Sequence, residues 1–138
     1  VYFPEEAPFD SALKRDFPDF LFVKDDTSFT NIKKQIEEYF SGKRTSFELE
    51  LDLQCPPFYK KALKEVNKIP FGKTVSYRDI AERAGNSKAV RATGSANANN
   101  PLPIVIPCHR ILNTGGGLGG YGGNLERKVY LLELEGSI

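Results

Sequence analysis

Three prolines, at positions 101, 103 and 107 of the run Asn100-Pro101-Leu102-Pro103-Ile104-Val105-Ile106-Pro107-Cys108-His109-Arg110, constrain this chain more than any other feature. Each fixes its own φ, removes a backbone donor and pushes the residue before it toward extended backbone, so no regular helix can pass through. The run is therefore predicted to be stiff, extended and apolar. It delivers Cys108 and the only histidine of the chain, His109, to one place. A free thiol titrates near ~8.5 and attacks as the thiolate. An imidazole can take its proton directly or through one water. Neighbouring side chains of an extended segment face opposite ways, which favours the bridging water unless the chain turns at Cys108.

A second break, Cys55-Pro56-Pro57, divides the chain into two units, 1–54 and 55–138. The 138 residues, 40% apolar and 27% charged, can bury a core, and no apolar run is long enough to span a bilayer. Charge separates at the same break. Residues 1–57 hold 7 Lys/Arg against 12 Asp/Glu, a net of −5, and residues 58–138 hold 12 against 6, a net of +6. A basic second half suits a phosphate-bearing partner, although solvated faces carry similar excesses. Two cysteines 53 positions apart suggest no disulfide framework, and an intracellular home suits a reactive thiol.

In the first unit, Val1–Asp19 reads as irregular and Phe20–Val23 as a short strand. Ile32, Ile36, Tyr39 and Phe40 mark one face of a helix over Asn31–Phe40, ended by Ser41-Gly42. Phe47, Leu49, Leu51 and Leu53 alternate with polar residues as in a half-buried strand. In the second unit, Phe58, Ala62, Leu63, Val66 and Ile69 form a helical stripe stopped by Pro70-Phe71-Gly72. Ser76 is placed to cap a helix over Tyr77–Ala84, and Gly85-Asn86-Ser87 turns into another over Lys88–Ala98. Helix, short Gly-containing turn, helix is the helix-turn-helix pattern. The second helix has a packing face of Ala89, Ala92, Thr93 and Ala96 and a polar stripe of Lys88, Arg91 and Ser95. Gly94 would be explained by the close approach of another backbone. A short core helix with solvated Lys and Arg fits the same pattern equally well.

The last helix, Leu125–Glu135, buries Leu125, Val129 and Leu132 and turns Glu135 inward, where it can orient His109. A frayed, solvated helix end is the alternative. One His and two distant Cys furnish no zinc set. Gly115-x-Gly117-x-x-Gly120 matches a dinucleotide fingerprint by letters alone, without βαβ context, and Gly115–Gly123 reads as a mobile loop with Tyr121 its one large side chain. Cys55 reads as a spectator.

Several of these groups recur in one family. Ile69-Pro70-x-Gly72, Ser76-Tyr77-x-x-Ile80-Ala81, Arg91-Ala92-x-Gly94, Asn100-Pro101-x-Pro103-Ile104, Pro107-Cys108-His109-Arg110, Gly120-Tyr121-x-Gly123 and Lys128-x-x-Leu131-Leu132-x-x-Glu135 stand in order and spacing. The stretch Phe58–Gly136 thereby resembles the O6-alkylguanine-DNA alkyltransferases (methylated-DNA–protein-cysteine methyltransferases). The resemblance implies an α/β protein with a small N-terminal ribonuclease H-like α/β roll and a mainly helical C-terminal domain with a helix-turn-helix. It implies irreversible, single-turnover transfer of the alkyl group from O6-alkylguanine in DNA to Cys108, with no cofactor and no metal. Double-stranded DNA would be met through the minor groove by a monomer, with no membrane involved, in the cytoplasm, or the nucleus of a eukaryote.

By position, the resemblance makes Cys108 the acceptor, His109 its base through water and Glu135 the group that orients His109. Asn100 would be the hinge bracing the helix-turn-helix. Tyr77 would donate to N3 of the flipped guanine, and Arg91 would fill the gap it leaves, with Lys88, Gly94 and Ser95 beside it on the DNA face. Pro103, Tyr121, Gly122 and Gly123 would line the pocket, and Lys128 would help to hold it. Three departures stand out. The sequence begins late in the family's N-terminal domain, so that an initial hairpin is expected to be missing from it. Asn124 stands where many relatives carry Gly, and is placed to cap the final helix. Gly122 stands where some carry Ser, leaving a backbone donor alone. A damage-binding relative without transfer, a cysteine hydrolase and a plain transcription factor are the competing readings. Cys108 argues against the first, the motif order fits no cysteine hydrolase, and the intact Pro-Cys-His-Arg argues against the last.

Overall fold

The computed structural model describes residues 9–22, 27–122 and 124–138. Six α-helices and one pair of two-residue strands are found among them: α1 (Phe9–Asp16), α2 (Thr30–Phe40), α3 (Pro57–Asn67), β1 (Val75–Ser76), α4 (Tyr77–Arg83), α5 (Val90–Ala98), β2 (Ile111–Leu112) and α6 (Leu125–Leu134). They form a small N-terminal part and a helical C-terminal part. No helix among the described residues is long and apolar enough to cross a membrane.

Helix α3 begins with Pro57 in its first turn, where a missing N–H costs nothing. It buries Ala62, Leu63 and Val66 against α4 and α5. The cluster grows with Leu53, Ile69, Ile80, Ala96, Ile106 and Ile111, so residues from both sides of Pro56-Pro57 share one core. Helix α4 starts with a complete capping box: Ser76 Oγ accepts from Asp79 N at 3.2 Å while the Asp79 carboxylate accepts from Ser76 N at 2.8 Å. Asn124 caps α6 by accepting from Arg127 N at 3.0 Å. Its backbone stands at φ 77, ψ 160, a conformation that favours glycine.

The strands β1 and β2 pair in parallel, with Val75 opposite Ile111 and Ser76 opposite Leu112. This ladder sets the start of α4 beside the chain that leaves Arg110.

Several expectations are corrected. Phe9–Asp16 is helical, not irregular, while Val1–Pro8 lies outside the described residues. Phe20–Phe22 forms no strand, and Val23 also lies outside the described residues. The alternation at 47–53 is real in burial, with Phe47, Leu49, Leu51 and Leu53 inward, but no ladder partner is present among the described residues. Period-two burial requires a surface to lie on, not a neighbouring strand: Leu51 and Leu53 pack into the α3 cluster, and Phe47 lies 5.5 Å from the Tyr39 ring of α2. Helix α5 begins at Val90, so Lys88 sits in the preceding turn and not on the helix. Leu125 is 49% exposed, because α6 turns Lys128, Leu131 and Leu132 inward instead. The 100–110 segment is not extended throughout. A bridge joins Pro103 to Ile106, Ile104 takes φ 77, and Cys108–Arg110 closes into a 3₁₀ turn.

Replacing the cap, Ser76→Ala, is expected to cost about 1 kcal/mol, read as a lower urea midpoint with an unchanged m-value.

Candidate active site

The site is organised by the carboxylate at the end of α6. Glu135 is 5% exposed. Its Oε1 accepts from the Tyr39 hydroxyl at 2.6 Å, from Arg110 Nη2 at 2.8 Å and lies 2.9 Å from His109 Nε2. Its Oε2 accepts from Arg110 Nε at 2.7 Å and from Gly72 N at 3.3 Å. Burial alone would raise the pKa of this carboxyl, but the bonds from His109, Arg110 and Tyr39 outweigh it and hold the value at about 2. An ionised carboxylate only accepts, so His109 must carry its proton on Nε2 and keep the lone pair of a neutral ring on Nδ1. Nδ1 is buried and has no hydrogen-bond partner among the described residues.

The turn at Cys108–Arg110 makes this arrangement possible. It sends His109 and Arg110 inward together, which a straight strand would forbid. Arg110 reaches back to the Ile69 carbonyl at 2.5 Å and lies over the Phe71 ring, 5.8 Å from its centroid. Gly72 holds φ +71, and a Cβ there would stand 3.0 Å from the Glu135 carbonyl oxygen, so the close approach excludes a side chain.

Cys108 is 3% exposed. Burial pushes its thiol pKa up, opposed by a hydrogen bond from the Asn100 side chain, by backbone N–H groups and by Lys128. Burial likewise pulls His109 down. At rest the pair is therefore thiol and neutral imidazole. Asn100 also fixes the turn, donating to the Ile106 carbonyl at 2.9 Å and accepting from Leu102 N at 3.0 Å. Lys128 is fully buried, with Nζ bonded to the Ile111 carbonyl at 2.5 Å and to the Leu118 carbonyl. Its pKa is pulled down to about 8 by burial, countered by the nearby Cys108 sulfur. The glycine loop expected to be mobile is thus pinned at Leu118 by a buried lysine, and Asn113 closes its base through Gly117 and Gly116.

A cavity of about 450 Å³ lies between α5 and this loop, lined by Tyr77, Val90, Arg91, Gly94, Asn97, Ala98, Asn113, Gly120, Tyr121 and Gly122. The Tyr77 hydroxyl donates to the Gly120 carbonyl at 3.3 Å, and Gly119, at φ +68, leaves room for its ring. Arg91 and Ser95 are exposed on α5, and Arg91 lines the cavity. A Cβ on Gly94 would meet nothing within 4 Å, so the backbone expected to approach it does not come from the described part of this chain. Pro103 is buried and does not line the cavity; Gly123 lies outside the described residues.

Sequence patterns alone assign no role to Arg110, Tyr39 or Asn97. Arg110 belongs to the Pro-Cys-His-Arg motif without a task of its own, and Tyr39 stands on a helix face as a core aromatic. Asn97 directly follows a packing residue of α5. Its Nδ2 donates to the Cys108 carbonyl at 3.2 Å. A polar group on the buried face of a helix is the signal that would have singled it out.

Comparison with known proteins gives a consistent answer. Residues 57–137 match the model described as 6-O-methylguanine DNA methyltransferase, DNA binding domain, and residues 8–53 match its ribonuclease-like domain. A methylated-DNA–protein-cysteine methyltransferase of Mycolicibacterium paratuberculosis is 45% identical over 108 residues, 78% of this chain and 66% of that protein. The chain thus spans about two thirds of that relative's length. The crystal structure of Mycobacterium tuberculosis OGT in complex with DNA is 45% identical, covers 79% of this chain and 68% of its own, and has a TM-score of 0.77. That of Mycobacterium tuberculosis O6-methylguanine methyltransferase is 39% identical, covers 96% and 76%, and has a TM-score of 0.82.

The lowered pKa of Glu135 has a stability consequence. The folded value of about 2 lies below the ordinary 4.5, so the contribution is complete above about pH 4.5 and is lost as pH falls toward 2. Its size is roughly 3 kcal/mol. Glu135→Gln is expected to remove that part of the acid limb in urea unfolding between pH 2 and 5, and to lower stability at pH 7 by leaving Arg110 uncompensated.

Proposed function

The chain belongs to the 6-O-methylguanine DNA methyltransferase family, and on that premise we propose that it repairs DNA by moving the alkyl group of O6-alkylguanine irreversibly onto Cys108, once per molecule. The observation that carries this reading is the buried Cys108–His109–Glu135 arrangement, in which Glu135 fixes the tautomer and leaves His109 Nδ1 as a base of its own.

The thiol proton passes to Nδ1, through one water, and Glu135 stabilises the imidazolium that forms. The thiolate attacks the alkyl carbon. The S–C bond forms as the C–O6 bond breaks, and the electron pair stays with the purine. Tyr77, exchanging the Gly120 carbonyl for the base, donates to N3 and eases that departure. The thioether has no leaving group that the protein could use, so turnover stops at one.

O6 lies on a paired edge, and in-line attack requires the nucleotide to leave the stack at a cost of a few kcal/mol. The cavity beside Tyr77 receives it. Tyr121 and Gly122 line that pocket on the loop side, and Lys128 fixes the loop through the Leu118 carbonyl. Helices α4 and α5 act as the helix-turn-helix, with α5 entering the minor groove, supported by the capped start of α4 and the tight turn at Gly85, φ +93. Arg91 then fills the vacated stack, Lys88, Gly94 and Ser95 lie along the backbone, and Asn100 couples this unit to the reactive turn. We place residues 1–54 as an α/β unit of the ribonuclease H-like type and 55–138 as the alkyltransferase domain, working as an intracellular monomer.

Intact-protein mass after incubation with duplex DNA bearing one O6-methylguanine is expected to rise by one methyl, mapped to Cys108 and saturating at one equivalent. Cys108→Ala should gain nothing while still binding the lesion; any gain in that variant sinks the assignment. Arg91→Ala should slow reaction with the duplex by roughly tenfold or more, with little effect on the free alkylated base. Equal losses on both substrates would remove the finger role.

A further inference from the structure

Tyr39 belongs to α2, yet its hydroxyl ends on a carboxylate 96 positions later in the chain. The ring is fully buried, edge-on to Phe71 at 6.2 Å and tilted against Phe47 at 5.5 Å, and Phe71 in turn lies under the Arg110 guanidinium. Packing alone would be served equally by phenylalanine, so the hydroxyl needs another reason. Burial, and then the Glu135 carboxylate, push its pKa well above the ordinary tyrosine value, so it remains a donor at any working pH.

Its partner is the same oxygen that holds His109. Glu135 Oε1 receives the Tyr39 hydroxyl at 2.6 Å, Arg110 Nη2 at 2.8 Å and His109 Nε2 at 2.9 Å. A carboxylate oxygen offers about two lone pairs, so three donors compete for it. The hydroxyl makes the shortest bond of the three, and each donor that draws on Oε1 weakens its pull on the imidazole. We propose, resting on the alkyl-transfer reading, that Tyr39 is a positioning residue for the transfer: its hydroxyl holds Oε1 against Nε2 and takes up enough of its charge to leave His109 an unprotonated base for Cys108. The N-terminal part thereby takes a share in the reaction through a side chain with no solvent exposure. The other ionisable groups that face the hydroxyl are Arg110 from the reactive turn and Tyr121 from the glycine loop. Around the imidazole, burial, then Arg110 and Lys128, disfavour a second proton, and Glu135 is the group that favours one. The strength of that single acceptor is what Tyr39 adjusts.

The test reads single-turnover methyl transfer from an O6-methylguanine duplex as a function of pH, with Tyr39→Phe beside the wild type. Without the hydroxyl, Oε1 holds the imidazole proton more tightly, so the acid limb of the rate should move to higher pH by about one unit. The ratio of variant to wild-type rate should therefore fall as the pH is lowered from about 8 to about 5. His109 is the only histidine of the chain, so its ring gives a single NMR titration, which should move with the kinetic limb. A ratio that is constant with pH, or an unmoved His109 titration, overturns the proposal and leaves Tyr39 a packing residue. If Tyr39→Phe does not fold, 3-fluorotyrosine encoded at position 39 keeps the ring and makes the hydroxyl a stronger donor. The limb should then move to lower pH, and a limb that stays in place overturns the proposal. If the wild-type protein gains no methyl from the duplex, the transfer reading falls, and this inference with it.

Discussion

The Glu135 carboxylate is taken out of water and must be satisfied entirely by the protein. Removing a carboxylate from solvent costs several kcal/mol even after relaxation, and only well-placed donors offset it. Five are present: the Tyr39 hydroxyl, His109 Nε2, two guanidinium nitrogens of Arg110 and the backbone N–H of Gly72. They come from α2, from the turn at Cys108 and from the loop after α3. The fold of the C-terminal part and the attachment of the N-terminal part therefore converge on one side chain. Gly72 shows how little slack exists, since its missing Cβ is what allows the approach to the end of α6.

The same network sets the chemistry. A lone carboxylate beside His109 would draw a proton onto the ring. With Arg110 and Tyr39 sharing its charge, and burial opposing an imidazolium, the ring stays neutral. The thiol, also buried, keeps its proton. A nucleophile held in this state is protected from casual electrophiles. Lys128 adds a positive charge from the other side without touching solvent, and spends its donors on two carbonyls that shape the loop.

Local chemistry was legible in the sequence where the determinants are local. The stripe of α3, the Ser76 cap, the Asn124 cap and the inward turn of Glu135 arise from spacing and residue type within a few positions. The failures share the opposite character. Tyr39 and Glu135 are 96 positions apart, and no periodicity announces that the hydroxyl of a core aromatic ends on a distant carboxylate. Lys128 has a place in the motif, but nothing in its spacing announces the Ile111 and Leu118 carbonyls that receive it. The alternation at 47–53 correctly located the buried side chains, yet a pattern of burial does not reveal whether the covering layer is a strand or a helix. The turn at Cys108 was hidden because prolines forbid helix without dictating the conformation of the residues after them.

The parallel ladder between Val75-Ser76 and Ile111-Leu112 has only two rungs, yet Tyr77 follows one strand directly and the Cys108–Arg110 turn precedes the other directly. It works as a gauge that sets hydroxyl against sulfur. A strand advances about 3.3 Å per residue and reverses its faces at each step, so one inserted or deleted residue on either side would displace one partner by a whole hydrogen-bond length. The turn at Gly115–Gly117 stands apart from this gauge, closed on itself by hydrogen bonds between Asn113 and Gly116 and Gly117. Between Val75 and Tyr77, and between Cys108 and Leu112, the length of the chain is as much a part of the site as its side chains.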